Sequence, residues 1–218
     1  LLPDSQHGFR AGRSCETALA ELVQQIARGR ARGDVVLVAS LDAAAFSTVS
    51  HDVLLEKLHR TAGVDGAALE LIRSFLTGRQ QRVKFSGNRL SGWRALETGT
   101  AEGAVWSPAL FASLVADLPQ HITAGAVVSY CDDVTVCVSA PTAAAAQALM
   151  DQALQQFDEY ARRNHICPAP EKTQLLAVGA GRAGALRCTM AGEELVPTRT
   201  IKVLGAVLDN TLSWEDHA

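Results

Sequence analysis

Leu19, Leu22, Val23 and Ile26 recur at helical spacing within residues 14–29, and Ser14 can supply the N-cap. The pattern predicts an amphipathic helix closed by Gly33 and Asp34. Val35–Leu41 is then a near-continuous apolar run of strand length that ends on Asp42. Such runs belong to strands covered on both faces. Two helices are expected at about 51–61 and 65–77, one presenting Leu54, Leu55 and Leu58, the other Leu69, Ile72, Phe75 and Leu76. Residues 80–96 alternate around Ser86-Gly87-Asn88 and read as a hairpin.

Gly99–Gly103 reads as a flexible loop. Ser107-Pro108, a cap followed by proline at the first helical position, opens a helix expected to reach about Asp117. Ala126–Tyr130 and Val134–Val138 are strand-like, so Cys131-Asp132-Asp133 falls at the tip of a tight hairpin. The longest helix is expected from Thr142 to about Asn164, with Leu149, Met150, Ala153, Leu154, Phe157, Tyr160 and Ala161 on one stripe. A strand at 173–178, a hairpin at 186–196 around Met190-Ala191-Gly192 and a last strand at 201–208 complete the chain. This order predicts an α+β fold with an antiparallel or mixed sheet and helices packed on one face.

Composition narrows the picture. A chain of 218 residues with 48% hydrophobic and 20% charged content can bury one substantial core or two small ones. No apolar run is long enough to span a bilayer, and no targeting segment stands at Leu1-Leu2-Pro3-Asp4. With no initiator Met there and no capping or turn signal at Trp214–Ala218, the chain reads as a fragment of a longer polypeptide. Five cysteines without a Cys-x-x-Cys favour free thiols in a reducing, intracellular setting; nucleus and cytoplasm are not distinguished. Net charge is −3, which argues against a generally nucleic-acid-binding surface. Yet Leu71–Leu96 contains no acidic residue and holds Arg73, Arg79, Arg82, Lys84, Arg89 and Arg94. A local basic face of that kind can hold a phosphate backbone, or can simply be a solvated hairpin.

The chemistry gathers at strand ends. Asp42 and the pair Asp132-Asp133 can converge on one point, and three close carboxylates repel unless cations neutralise them. Hard oxygen ligands completed by substrate phosphates suit magnesium. Two ions roughly 3.5–4 Å apart can activate an attacking hydroxyl and stabilise a leaving pyrophosphate.

In order along the chain, Gln6-His7-Gly8-Phe9-Arg10 with Gly12-Arg13-Ser14-Cys15, Ser40-Leu41-Asp42 with Phe46 and Val49, Gly103 with Ser107-Pro108 and Leu110-Phe111, Tyr130-Cys131-Asp132-Asp133, Glu171-Lys172-Thr173, and Ile201-Lys202-Val203-Leu204-Gly205 with Leu208-Asp209 and Trp214 are recognisable blocks. Together they resemble the reverse transcriptases of non-long-terminal-repeat (LINE-type) retrotransposons over essentially the whole chain. The resemblance implies a polymerase palm with a partial fingers subdomain. Residues 1–34 would be partial fingers, 35–200 the palm with helical insertions at about 51–96, and 201–218 the primer-grip strand and start of a thumb. The rest of the thumb and other domains of a parent polyprotein would lie outside this sequence.

It further implies an RNA-directed DNA polymerase that extends a primer 3′-hydroxyl with deoxynucleoside triphosphates on an RNA template and a DNA primer, with no membrane partner. Asp42, Asp132 and Asp133 would hold two Mg2+ ions, with Mn2+ as a substitute. Lys172 would protonate pyrophosphate. Phe46 would gate against ribonucleotides or pack in a core, Arg10 would meet the triphosphate, and Gly103 would let template approach. Tyr130 would also bind substrate, and Arg79, Arg82, Lys84 and Arg89 would bind nucleic acid.

The sequence departs from that family near the chemistry. Three residues, Ala43-Ala44-Ala45, separate Asp42 from Phe46 where four are usual, and a one-residue change beside a strand end turns the following side chains over. Ser47 replaces an aspartate, Ala101-Glu102-Gly103 replaces Pro-Gln-Gly, and Ala11, Trp106 and Ala169 stand where other residues are common. Two further readings therefore stand beside the polymerase: a catalytically inactive, degenerate palm that keeps only nucleic-acid binding, and a different palm-type phosphotransferase such as a nucleotide cyclase.

Overall fold

The architecture was taken from a computed structural model that describes residues 2–44, 46–101, 103–179 and 186–217. Helix α1 (Cys15–Ala31) starts where Ser14 accepts from the Thr17 amide, and Thr17 returns a bond to the Ser14 backbone. Strand β1 (Val35–Leu41) leads to a two-residue strand β2 (Ala43–Ala44). Helices α2 (His51–Ala62) and α3 (Gly66–Leu76) follow, then β3 (Gln80–Gln81) and β4 (Arg94–Ala95) at the base of the predicted hairpin. Next come α4 (Ser107–Leu114), α5 (Leu118–His121), β5 (Ala126–Tyr130), β6 (Asp133–Ala140) and α6 (Ala143–Arg163). The chain continues through β7 (Cys167–Pro168), β8 (Gln174–Val178), β9 (Cys188–Met190), β10 (Glu193–Leu195), β11 (Thr200–Val203) and β12 (Ala206–Asp209).

The central sheet has the order β5-β6-β1-β8 and every neighbouring pair is antiparallel. The unbroken apolar run of β1 is explained by cover on both sides. Val35, Leu37, Ala39 and Leu41 enter one core with Met150, Ala153, Leu154, Phe157 and Tyr160 of α6. Val36 and Val38 enter a second core with Ala18, Leu22 and Ile26 of α1 and with Ile201, Val203 and Leu208 of β11 and β12. Helical cover on one face alone is therefore corrected: the stripe of α1 needs a partner, and the even positions of β1 provide it. A third core joins α2, α3 and α4 through Leu54, Leu58, Leu76, Leu110, Phe111 and Leu114, and reaches Cys131.

Three expectations change locally. The last strand, predicted as continuous over 201–208, is a hairpin, because Leu204 and Gly205 both adopt left-handed φ (49° and 87°) and turn the chain between β11 and β12. Ser107 is not the cap of α4. Trp106 occupies that place, while the Ser107 hydroxyl donates to the Ala101 carbonyl (2.5 Å) and ties the preceding loop to the helix. The expected continuation of α4 to Asp117 breaks at Val115, and the short α5 begins at Leu118.

Candidate active site

Strand register brings the aspartates to one end of the two central strands. Leu41 faces Val134 as the last paired position of β1 and β6, so Asp42 follows β1 at the end where Asp133 begins β6. Tyr130 pairs with Asp133, leaving Cys131-Asp132 as a two-residue turn with Cys131 left-handed at φ 58°. Asp42, Asp132 and Asp133 are all exposed. Burial pushes the Asp133 carboxyl above its ordinary range, and the charges of Asp132 and Asp42 push it the same way. The three carboxylates thus share one electrostatic field. Among the described residues, no three acidic, histidine or cysteine side chains form a ready-made cage for an ion.

The turn is held from below. Gln6 is buried; its amide oxygen accepts from the Cys131 N–H (2.9 Å) and the Gly8 N–H (2.8 Å), and its Nε2 donates to the Cys131 carbonyl (3.3 Å). On either side, the His7 N–H donates to the Ser129 carbonyl and the Ser129 N–H to the Ser5 carbonyl, both at 2.8 Å. Gly8 passes so close that a Cβ there would lie 2.3 Å from the Cys131 nitrogen. Burial and the neighbouring Asp132 raise the Cys131 thiol to about 12, so it stays neutral inside the turn.

Asp42 is braced by the segment after β7. Its N–H donates to the Thr173 hydroxyl (3.3 Å), and its carbonyl accepts from the Ala169 N–H (2.9 Å). Lys172 lies exposed in that same turn, its own N–H on the Ala169 carbonyl. The turn that carries the candidate acid is therefore bonded to the strand end that carries Asp42.

The family model for reverse transcriptase (RNA-dependent DNA polymerase) matches residues 1–208. The chain belongs to the reverse transcriptase family. No curated protein gives a significant match. Among solved structures, apo telomerase from Candida tropicalis truncated from its C-terminal domain superposes with a TM-score of 0.64 at 11% identity, covering 97% of this chain and 40% of that one. A second structure of apo telomerase from Candida tropicalis gives 0.60 at 12%, with 97% and 36% covered. Telomerase from Candida albicans in complex with a TWJ fragment of telomeric RNA gives 0.59 at 13%, with 96% and 36% covered. At these identities the likeness shows the fold, a reverse-transcriptase palm. The chain spans less than half the length of these structures.

Other residues singled out in this reverse transcriptase sequence sit as follows. Phe46 packs on Phe111 with ring centroids 5.1 Å apart, and its carbonyl accepts from the Thr100 N–H (2.8 Å). Gly103 is exposed with φ +79°, a conformation that suits glycine. Ala45 and Glu102, on which two of the departures fall, lie outside the described residues. Arg10 turns back on its own segment, donating to the Pro3 carbonyl (2.7 Å) and Asp4 (3.1 Å). Tyr130 borders the third core, and hydrogen bonding with the Cys15 thiol raises its phenol.

Arg79 donates to the Gly99 carbonyl (2.7 Å), so it braces the loop at the hairpin base, whereas Arg82, Lys84 and Arg89 are exposed on the hairpin itself. Sequence reasoning named Gln6 only as part of a motif. Its signal was a glutamine two residues before a glycine in a segment with no apolar periodicity, and only the fold supplies its partner.

Proposed function

We propose that this chain is the fingers-and-palm portion of an RNA-directed DNA polymerase of a LINE-type retrotransposon, transferring deoxynucleotides to a primer 3′-hydroxyl on an RNA template. The single observation that carries the reading is the meeting of Asp42 with the Tyr130-Cys131-Asp132-Asp133 turn at one end of the central strands. Residues 1–34 act as partial fingers, 35–200 as palm, and 201–218 as the primer grip and the beginning of a thumb.

The donor chemistry suits magnesium: three exposed carboxylates, with the charges of Asp132 and Asp42 bearing on Asp133, form no cage by themselves and leave coordination to be completed by substrate phosphates. Mg2+ bound there would supply charge stabilisation and a more acidic primer hydroxyl. The chain's own residues do the rest. Gln6 holds the Cys131-Asp132 turn rigid, while Thr173 and Ala169 fix the backbone of Asp42. Lys172 is the candidate proton donor to the leaving pyrophosphate. Phe46 limits space beneath the incoming sugar, Tyr130 and Gly103 bound the nucleotide and template, and Arg10 reaches the triphosphate after releasing Asp4.

Templated primer extension tests the reading. The chain is expected to extend a primer on an RNA template with Mg2+, and Asp132→Asn with Asp133→Asn is expected to abolish this. Extension persisting in that double variant refutes it.

A second reading, a palm that binds primer–template without extending it, is favoured by the packing of Phe46 into the third core. Salt-dependent binding with no extension under any divalent cation would establish that reading instead.

A further inference from the structure

The hairpin around β3 and β4 carries side chains that no core accounts for. Gln80 pairs with Ala95, Gln81 with Arg94, and Lys84 bridges to Leu90. Its tip, Ser86–Asn88, is a 3-10 turn with Gly87 and Asn88 left-handed. No residue from Gln80 to Ala95 enters any of the three cores. Nevertheless Val83, Phe85, Leu90 and Trp93 stand here, with Phe85 50% and Trp93 60% exposed. Four large apolar side chains left in solvent on one short hairpin mark a surface made to be covered.

Charge says by what. Arg82, Lys84, Arg89 and Arg94 are interleaved with these side chains, and the flanking acidic positions in sequence are Glu70 and Glu97. Among the described residues none of the four cations pairs with a carboxylate. The Arg82 guanidinium lies 4.4 Å from the centroid of the Trp93 ring, which fixes the attitude of the indole. Unpaired cations between exposed aromatic rings are complementary to a polymer of negative charges and flat π-faces.

The hairpin is also fastened to the site. Arg79 at its base donates to the Gly99 carbonyl, which His51 Nε2 also meets at 2.8 Å, and the next residue, Thr100, bonds the Phe46 carbonyl.

We propose that this hairpin is a stacking platform for single-stranded nucleic acid, with unpaired bases on Trp93 and Phe85 and phosphates on Arg82, Lys84, Arg89 and Arg94. This rests on the polymerase reading above and assigns the hairpin the unpaired stretch of template beside the Asp42–Asp133 site. A duplex is the poorer fit, because its bases already stack on one another and leave the two rings unserved.

The test is equilibrium binding of labelled oligouridylate about 20 nucleotides long at low and moderate salt, with a duplex of the same length alongside. Trp93→Ala and Phe85→Ala are each expected to weaken single-strand binding about tenfold. Trp93→Phe keeps a stacking face and is expected to stay within about threefold of wild type. Duplex binding is expected to change less than about twofold in all three. Because both side chains lie outside the cores, the variants are expected to melt within about 2 °C of wild type. Oligouridylate is expected to quench indole fluorescence in wild type and to quench less in Trp93→Phe.

Unchanged single-strand affinity in the Trp93→Ala, Phe85→Ala double variant overturns the proposal. So do wild-type failure to bind at low salt, and a preference for polyglutamate over oligouridylate. Primer extension run in parallel separates the two readings. Extension with no aromatic dependence of binding sinks the platform alone, whereas aromatic-dependent binding with no extension sinks the polymerase reading alone.

Discussion

Lys57→Met removes the centre of the strut that joins the α2–α3 insertion to the palm. The Lys57 ammonium donates to Asp117 Oδ1 (2.6 Å), the Leu114 carbonyl (2.7 Å) and the Tyr160 hydroxyl (2.9 Å), while Tyr160 also reaches Asp117 (2.7 Å). These contacts connect α2, the junction of α4 and α5, and α6. The Lys57 and Asp117 side chains are 14% and 23% exposed, so most of their hydration is lost on folding.

Stranding one partner of a fully buried pair costs about 3–5 kcal/mol, and the remaining water access here reduces that to about 2–3 kcal/mol. For a domain of this size each kcal/mol moves the melting temperature by roughly 2–4 °C, so a fall of about 4–12 °C is expected by circular dichroism. The Lys57→Met, Asp117→Leu double variant, with neither charge stranded, is expected to recover part of the loss and to give a coupling of at least about 1 kcal/mol. A single variant melting within about 1 °C of wild type, or strictly additive losses, would refute the strut.

Gln6→Leu removes three hydrogen bonds beneath the aspartate turn. It is expected to cost about 1–3 kcal/mol in urea unfolding and to lower primer extension more than tenfold; wild-type extension in a variant this destabilised would exclude a positioning role. Gly8→Ala sets a methyl against the Cys131 backbone and is expected to destabilise by at least about 1 kcal/mol, an expectation that an unchanged urea midpoint contradicts. Two carboxyls contribute an acid-labile share of the stability. The Thr211 hydroxyl and backbone N–H groups hold Asp209 well below the ordinary range. Burial pushes Asp117 up, but the bonds from Lys57 and Tyr160 prevail and hold it low. Both therefore contribute stability that is present above about pH 4 and is lost as pH falls toward their folded values. Melting is expected to be flat from pH 7 to about pH 5 and to drop below, with a shallower drop in Asp209→Asn; melting that rises toward acid would contradict the sign.

Much of the fold was legible because local signals and global packing agree. Ser14 caps α1 as its pattern says, and β1 alternates between two cores as a fully covered strand must. Legibility failed where a side chain's choice depended on distant backbone. Leu204 reads as an ordinary strand residue, yet it adopts a left-handed φ because Gly205 beside it closes a two-residue turn. Ser107 reads as a cap, yet the Ala101 carbonyl claims its hydroxyl. The short pairing of β2 with β7 carries no periodicity at all in two residues. At the site, the aspartates were visible from strand-end placement, but Gln6 and Thr173 serve backbone groups 125 and 131 positions away, and no window along the chain contains both ends of such a bond.

That separation has a consequence for how the protein is made. β5 is an edge of the sheet, and the segment that latches onto it, Ser5 to Gly8, is synthesised well before it. At a synthesis rate of about 5–20 residues per second, Gln6 waits roughly 6–25 seconds before Cys131 is even joined to the growing chain. Until then the Gln6 amide has the Gly8 N–H of its own segment within reach but neither of its two bonds to Cys131. The aspartate turn therefore gains its bracing only through bonds that span 125 positions, the slow kind of contact in folding.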